Sequence, residues 1–145
     1  KPDLIIIDLN LRLKRNLKLF ELKLKRNIFL VTKQQNKRKI NFFKKKGIKI
    51  IYLESLDKKS DFKYLFMKLK SKNYNRILVE SGLTFLKSII NYKLLNNLFI
   101  FKSNKNLGSL GKNNIPNIFL KRLNYKKKIN VNLNEDKLFK FKLNV

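Results

Sequence analysis

The chain has 145 residues, of which 36 are Lys or Arg and nine are Asp or Glu, giving a formal charge of +27, and 43% are hydrophobic. Its length suits one domain over residues 1–145, and its apolar content, spread along the chain, excludes a disordered basic tail. It has no His and no Cys, which excludes zinc sites, Cys or Ser–His nucleophilic catalysis, and imidazole acid–base chemistry.

In chain order, residues 4–8 (LIIID) read as a buried strand and residues 27–32 (NIFLVT) as a second. Residues 35–46 set Ile40, Phe42 and Phe43 among lysines, an amphipathic helix that Gly47 stops. Residues 48–53 return to strand. Ser60 is the expected N-cap of a second helix, in which Phe62, Leu65, Phe66 and Leu69 recur at helical spacing as far as Asn73. Residues 76–80 then read as a strand, 83–94 as a helix and 98–102 as a strand. After a loop over 103–117 holding Gly108, Gly111 and Pro116, residues 118–125, 129–133 and 138–143 read as strands with no helix between them. The alternation predicts an α/β domain with a largely parallel sheet flanked by helices, and the tail predicts antiparallel strands at its C-terminal edge.

Charge of this size ordinarily points to nucleic acid. Here, however, the cations are mostly Lys, and Lys, Asn, Ile and Phe are inflated together, as an adenine- and thymine-rich genome would impose. Nucleic-acid readers favour Arg for bidentate contacts and carry aromatics on an exposed face, whereas most aromatics here fall inside periodic apolar patterns. Lys44, Lys45 and Lys46 close a helix, and Lys126, Lys127 and Lys128 lie in a turn between strands; both runs read as solvated faces. The expectation is no specific nucleic-acid partner, with a basic nucleic-acid-binding module as the alternative. The summed field still favours anionic ligands. No apolar run approaches the roughly 20 residues that span a bilayer, and there is neither a signal-peptide pattern nor a disulfide. The expectation is therefore cytoplasmic, with no membrane partner.

One stretch departs from this background. RILVESGLTFL, residues 76–86, ends an apolar run on Glu80 and passes through Ser81 and Gly82 into a helix. In a parallel sheet, ligands gather beyond the carboxyl ends of the strands, where helix N-termini point free amides outward. Gly82 would let the backbone approach a ligand, and the first-turn amides would hold a phosphate, with Glu80 facing a polar group beside it. The same residues also read as an ordinary turn in which Glu80 is solvated and Ser81 or Thr84 caps the helix, since one glycine is a weak phosphate signature.

Four pieces in order, KPDLIIIDLNLRL (1–13), RILVESGLTFL (76–86), LLNNLFIFKSNKNLGSLG (94–111) and NEDKLFKF (134–141), resemble the reductase domain of the bifunctional riboflavin-biosynthesis deaminase/reductase. The strand ending in Val-Glu-Ser-Gly is the most telling piece, and the Pro-x-apolar-Asp-x-x-x-Arg opening comes second. The resemblance implies a dihydrofolate-reductase-like fold. It implies NADPH-dependent reduction of the ribosyl group of a phosphorylated ribosylaminopyrimidine to ribityl. Carried over by position, Glu80 contacts the substrate. Gly82, Leu83, Thr84, Phe85, Leu86, Lys87 and Ser88 line the cofactor, the first three nearest its pyrophosphate. Asp8, Leu9 and Thr32 are further cofactor-wall positions. No catalytic side chain is implied; a bound cofactor that carries the chemistry makes the lack of His and Cys tolerable.

The resemblance also implies a homodimer, and a deaminase domain in the full-length protein, whose zinc ligands are not in this chain. The family's first strand, first helix and following loop do not precede Lys1, so the expectation is a chain that starts in mid-domain. A structural fragment inactive without that segment is the alternative. Leu9 stands where relatives often carry serine, Leu13 and Lys14 where proline is usual, and Asn96 and Asn97 where an acidic pair is common. Asn106, Gly108 and Gly111 read equally as a loop over the site or a plain surface connection. Asp136, after Glu135, reads as a turn former. Lys33 and Arg38 either meet the 2′-phosphate of NADPH or are two more surface cations.

Overall fold

A computed structural model describes residues 1–24, 26–103, 105, 128–133 and 135–143, and divides into two compact units, Lys1–Arg76 and Ile77–Val145. The first unit holds a parallel sheet of β1 (Leu4–Ile7), β2 (Ile28–Thr32) and β3 (Lys49–Tyr52), in that spatial order. It also holds a 3-10 turn over Lys18–Leu24, α1 (Lys37–Lys45) and α2 (Lys59–Lys70). Every residue of β2 is buried, as expected of a central parallel strand covered on both faces; this is why IFLVT shows no polar alternation. Its side chains still divide by the strand period of two. Ile28 and Leu30 pack with Leu11, Phe20, Ile40, Phe43 and Ile48 on one face. Phe29 and Val31 pack with Ile51, Leu53, Leu65 and Leu69 on the other. The rings of Phe20 and Phe43 meet at 5.3 Å, and Phe43 is completely buried, worth about 2–3 kcal/mol in transfer free energy.

The helix ends follow from side-chain chemistry. Asn36 caps α1 from a left-handed backbone (φ 51°), its Oδ1 accepting the Lys39 N–H at 3.1 Å; Asn is among the few residues suited to both tasks. Gly47 (φ 76°) ends the helix as predicted. Its N–H donates to Lys44 O at 2.8 Å and the Ile48 N–H to Phe43 O at 3.0 Å, the paired closure that needs a left-handed residue. For α2 the predicted cap is displaced. Lys58, not Ser60, is the N-cap, and Asp61 in the first turn does the capping. Its Oδ2 accepts the N–H groups of Asp57 at 3.1 Å and Lys58 at 3.2 Å, and the Ser55 hydroxyl at 2.5 Å. A carboxylate reaching back satisfies these donors better than a hydroxyl already inside the helix.

The second unit contains α3 (Leu83–Asn91) and an antiparallel sheet of β4 (Asn97–Lys102), β5 (Lys128–Ile129) and β6 (Lys137–Lys142), ordered β4-β6-β5. The α/β class with a parallel sheet and antiparallel C-terminal strands therefore holds. Among the described residues the antiparallel strands form a separate sheet, which β4 joins. Two predicted strands are corrected. Residues 76–80 pair with no strand among the described residues, leaving Leu78 81% exposed, and of residues 129–133 only Ile129 belongs to a strand. The apolar run supplied strand propensity, but a ladder also needs a partner edge, which local sequence does not encode. The predicted strand over 118–125 lies outside the described residues, as do Asn106, Gly108, Gly111, Lys126 and Lys127. Among the described residues no helix is long and apolar enough to cross a membrane.

Candidate functional site

The stretch singled out in the sequence forms the entry to α3. Glu80, Ser81 and Gly82 are exposed, non-helical residues, and Gly82 is the N-cap with φ −66° and ψ 165°. The first intrahelical bond runs from the Leu86 N–H to Gly82 O at 3.1 Å. The amides of Leu83 and Thr84 lie ahead of it and have no hydrogen-bond partner among the described residues. Among the described residues no side chain caps this end, and no acidic residue occupies its first turn, so Ser81 and Thr84 do not act as the cap. The positive end of the helix dipole is thus left open. A Cβ built on Gly82 would meet nothing within 4 Å.

The helical period divides the run from Gly82 to Ser88. Thr84, Lys87 and Asn91 are exposed along one stripe, while Leu83, Phe85, Leu86 and Ser88 are half-buried; residues three and four apart share a face, and adjacent ones do not. The Ser88 hydroxyl donates to Thr84 O at 3.2 Å, so its proton is committed to the helix itself. Lys87, one turn in, adds a cation on the side of Thr84.

In the first unit, Asp8, Leu9 and Thr32 come together at the carboxyl ends of β1 and β2. Leu9 O accepts the Lys33 N–H at 3.2 Å, the Thr32 hydroxyl at 3.3 Å and the Gln35 Nε2 amide at 3.0 Å. The Asp8 N–H donates to Val31 O at 2.9 Å, and Asp8 Oδ2 accepts the Leu13 N–H at 2.8 Å. Thr32 is fully buried and acts here as a positioning residue, holding Leu9, with no surface to offer a ligand. Gln35 and Lys39 were missed by sequence reasoning. The Lys39 ammonium donates to Leu11 O, bracing a buried leucine whose backbone is left-handed (φ 51°). Neither has a spacing signal, because each reaches a carbonyl distant in sequence. Lys33 is half-buried and Arg38 exposed. In the second unit the Asp136 N–H donates to Leu133 O at 3.1 Å, closing the turn its reading as a turn former requires.

The RibD C-terminal domain matches residues 1–138. The chain belongs to that family. No curated protein matches it. The family is the reductase domain of riboflavin biosynthesis, as the ordered pieces centred on Glu80 and Gly82 implied, and its match runs from the parallel sheet to the second residue of β6.

Proposed function

We propose that the chain is an NADPH-dependent reductase domain of riboflavin biosynthesis, which reduces the ribosyl group of a phosphorylated ribosylaminopyrimidine to ribityl. Family membership over residues 1–138 supports the reductase class. The uncapped, acid-free N-terminus of α3 behind an unobstructed Gly82 is the observation that supports a cofactor site. The Leu83 and Thr84 amides hold the pyrophosphate, and the exposed ammonium of Lys87 adds charge complementarity. Glu80, solvated and free of the helix, orients a hydroxyl or ring N–H of the substrate. Bound there, NADPH supplies the hydride, which is why this chain needs no nucleophile of its own. Leu83, Phe85 and Leu86 contribute apolar wall, and Ser88 holds the first turn through Thr84 O. For Asp8, Leu9 and Thr32 the proposal is support through main-chain atoms and shape, since their polar groups are engaged with one another and with neighbouring backbone. The substrate and cofactor are both anions, which the charge of +27 attracts. A cytoplasmic location belongs to the same proposal.

The test is titration with NADPH at moderate salt, read by cofactor fluorescence, with NADH and polyphosphate as competitors. Saturable binding that prefers NADPH and resists polyphosphate is expected. Binding matched by polyphosphate would reduce the site to generic charge. In the full-length protein, Glu80→Ala should lower turnover, and unchanged turnover would remove Glu80 from the substrate site.

A further inference from the structure

The antiparallel sheet of the second unit turns two aromatic rings toward solvent: Phe99 is 48% and Phe101 66% exposed. They share a face because they lie two residues apart on β4. The register sets Lys140 opposite Phe99, Leu138 opposite Phe101 and Lys142 opposite Asn97. The alternating residues Leu98 and Phe141 are buried, so the packed face is the other one. The Lys140 ammonium lies 5.6 Å from the centroid of the Phe99 ring. No acidic residue occurs in β4, β5 or β6. Composition alone did not reveal this arrangement, since reading residues 98–102 as a strand does not say which of its faces is packed.

We propose that this face binds single-stranded nucleic acid without sequence preference. Bases stack on Phe99 and Phe101, and Lys140 and Lys142 take the flanking phosphates. Stacking needs exposed ring faces and tolerates any base, while phosphates need cations within side-chain reach; a single strand pair supplies both. A second copy of the chain is the poorer occupant. Face-to-face docking would bring two sets of Lys140 and Lys142 together with no strand carboxylate to offset them. A duplex is poorer too, because its bases already stack on one another. The proposal makes no use of the α3 entrance and stands or falls apart from the reductase reading.

Fluorescence anisotropy of a labelled oligothymidylate of about 15 nucleotides tests it, near physiological salt and with the whole chain. Saturable binding is expected. Phe99→Leu and Phe101→Leu, which keep apolar bulk but remove the ring face, should each weaken binding at least about fivefold, while polyphosphate binds both variants as it binds the parent. Lys140→Gln with Lys142→Gln should flatten the log–log salt slope by about 1.4, at about 0.7 per single-strand phosphate. An affinity unchanged by the leucine variants, or lost in parallel with polyphosphate binding, would overturn the proposal in favour of charge alone. A dimer in sedimentation that the leucine variants abolish and the oligonucleotide does not disperse would overturn it as well, assigning the face to a second copy.

Discussion

At Gly82 the demands of the fold can be separated from those of the proposed cofactor site. Its φ of −66° is open to any L-residue and its missing side chain leaves only empty space, so the fold does not demand glycine there. Gly82→Ala should therefore alter stability by less than about 1 kcal/mol, a weaker N-cap being offset by a less flexible unfolded chain. NADPH affinity should fall about tenfold, or 1.4 kcal/mol, as the methyl group enters the space before the amides. Parallel thermal melts and cofactor titrations check both halves. Asp3 is a second instance. Its carboxylate accepts the Tyr74 hydroxyl, the Asn27 N–H at 2.7 Å and the Asn27 side-chain amide at 2.9 Å. The Tyr74 hydrogen bond, followed by those from Asn27, holds the Asp3 carboxyl below its ordinary 3.8. The same bond, followed by burial, pushes Tyr74 from 10.0 up to about 12. Since the folded Asp3 value is depressed, its contribution is present above pH 3.8 and lost as pH falls through the folded value. Since the folded Tyr74 value is raised, its contribution is complete below pH 10.0 and lost as pH climbs toward about 12. Urea melts across both windows should show the two declines. In Tyr74→Phe the alkaline decline should vanish and the acid one move up toward 3.8.

Elements depend on residues at their ends as much as on their apolar stripes. At Asn36 the backbone is left-handed while the side chain caps α1. Asn36→Gly should cost only a few tenths of a kcal/mol, whereas Asn36→Ala loses both advantages and should cost about 2 kcal/mol; chemical denaturation of the two variants distinguishes them. Lys93 ends α3 with φ 55°, and the Leu94 N–H closes on Ile89 O at 2.9 Å. That is a position glycine prefers, so Lys93→Gly should raise the melting temperature, by about 0.5–1 kcal/mol of stability. The predicted helix ran on to residue 94 because no glycine marks the stop, whereas Gly47 did mark the end of α1. At the centre of the first unit, Phe43→Ala should cost about 3–5 kcal/mol, read as a loss of the cooperative melt, since Phe43 is fully buried against Phe20 and Phe42.

For the whole molecule the governing quantity is charge. A chain at +27 repels itself, and some of its ammonium groups rest on rings, as Lys49 does over Phe29 at 5.4 Å and Lys44 over Tyr52 at 5.9 Å. Added salt shortens the Debye length from about 30 Å at 0.01 M to about 8 Å at 0.15 M. The melting temperature should rise over that range while NADPH affinity falls, because screening relieves repulsion within the chain and weakens attraction to an anion. A melting temperature that drops instead would mean that favourable charge pairs outweigh the repulsion.

Much was legible in the sequence where the determining interactions are local or periodic. LIIID and NIFLVT announced β1 and β2, Gly47 the end of α1, the spacing of Phe62, Leu65 and Leu69 the buried face of α2, and the order of short pieces the family. The entrance of α3 was legible in the same way, because a glycine before a helix is a local feature. Tertiary structure alone decided what depends on partners distant along the chain. Residues 76–80 have the composition of a strand and pair with none among those described; β4 joins an antiparallel sheet; Thr32 turns inward to Leu9; and Phe99 and Phe101 face solvent. Propensity belongs to a segment, but a hydrogen-bonded ladder and a buried face belong to two segments at once. Which two meet is settled by packing free energy summed over the fold, not by any window of residues.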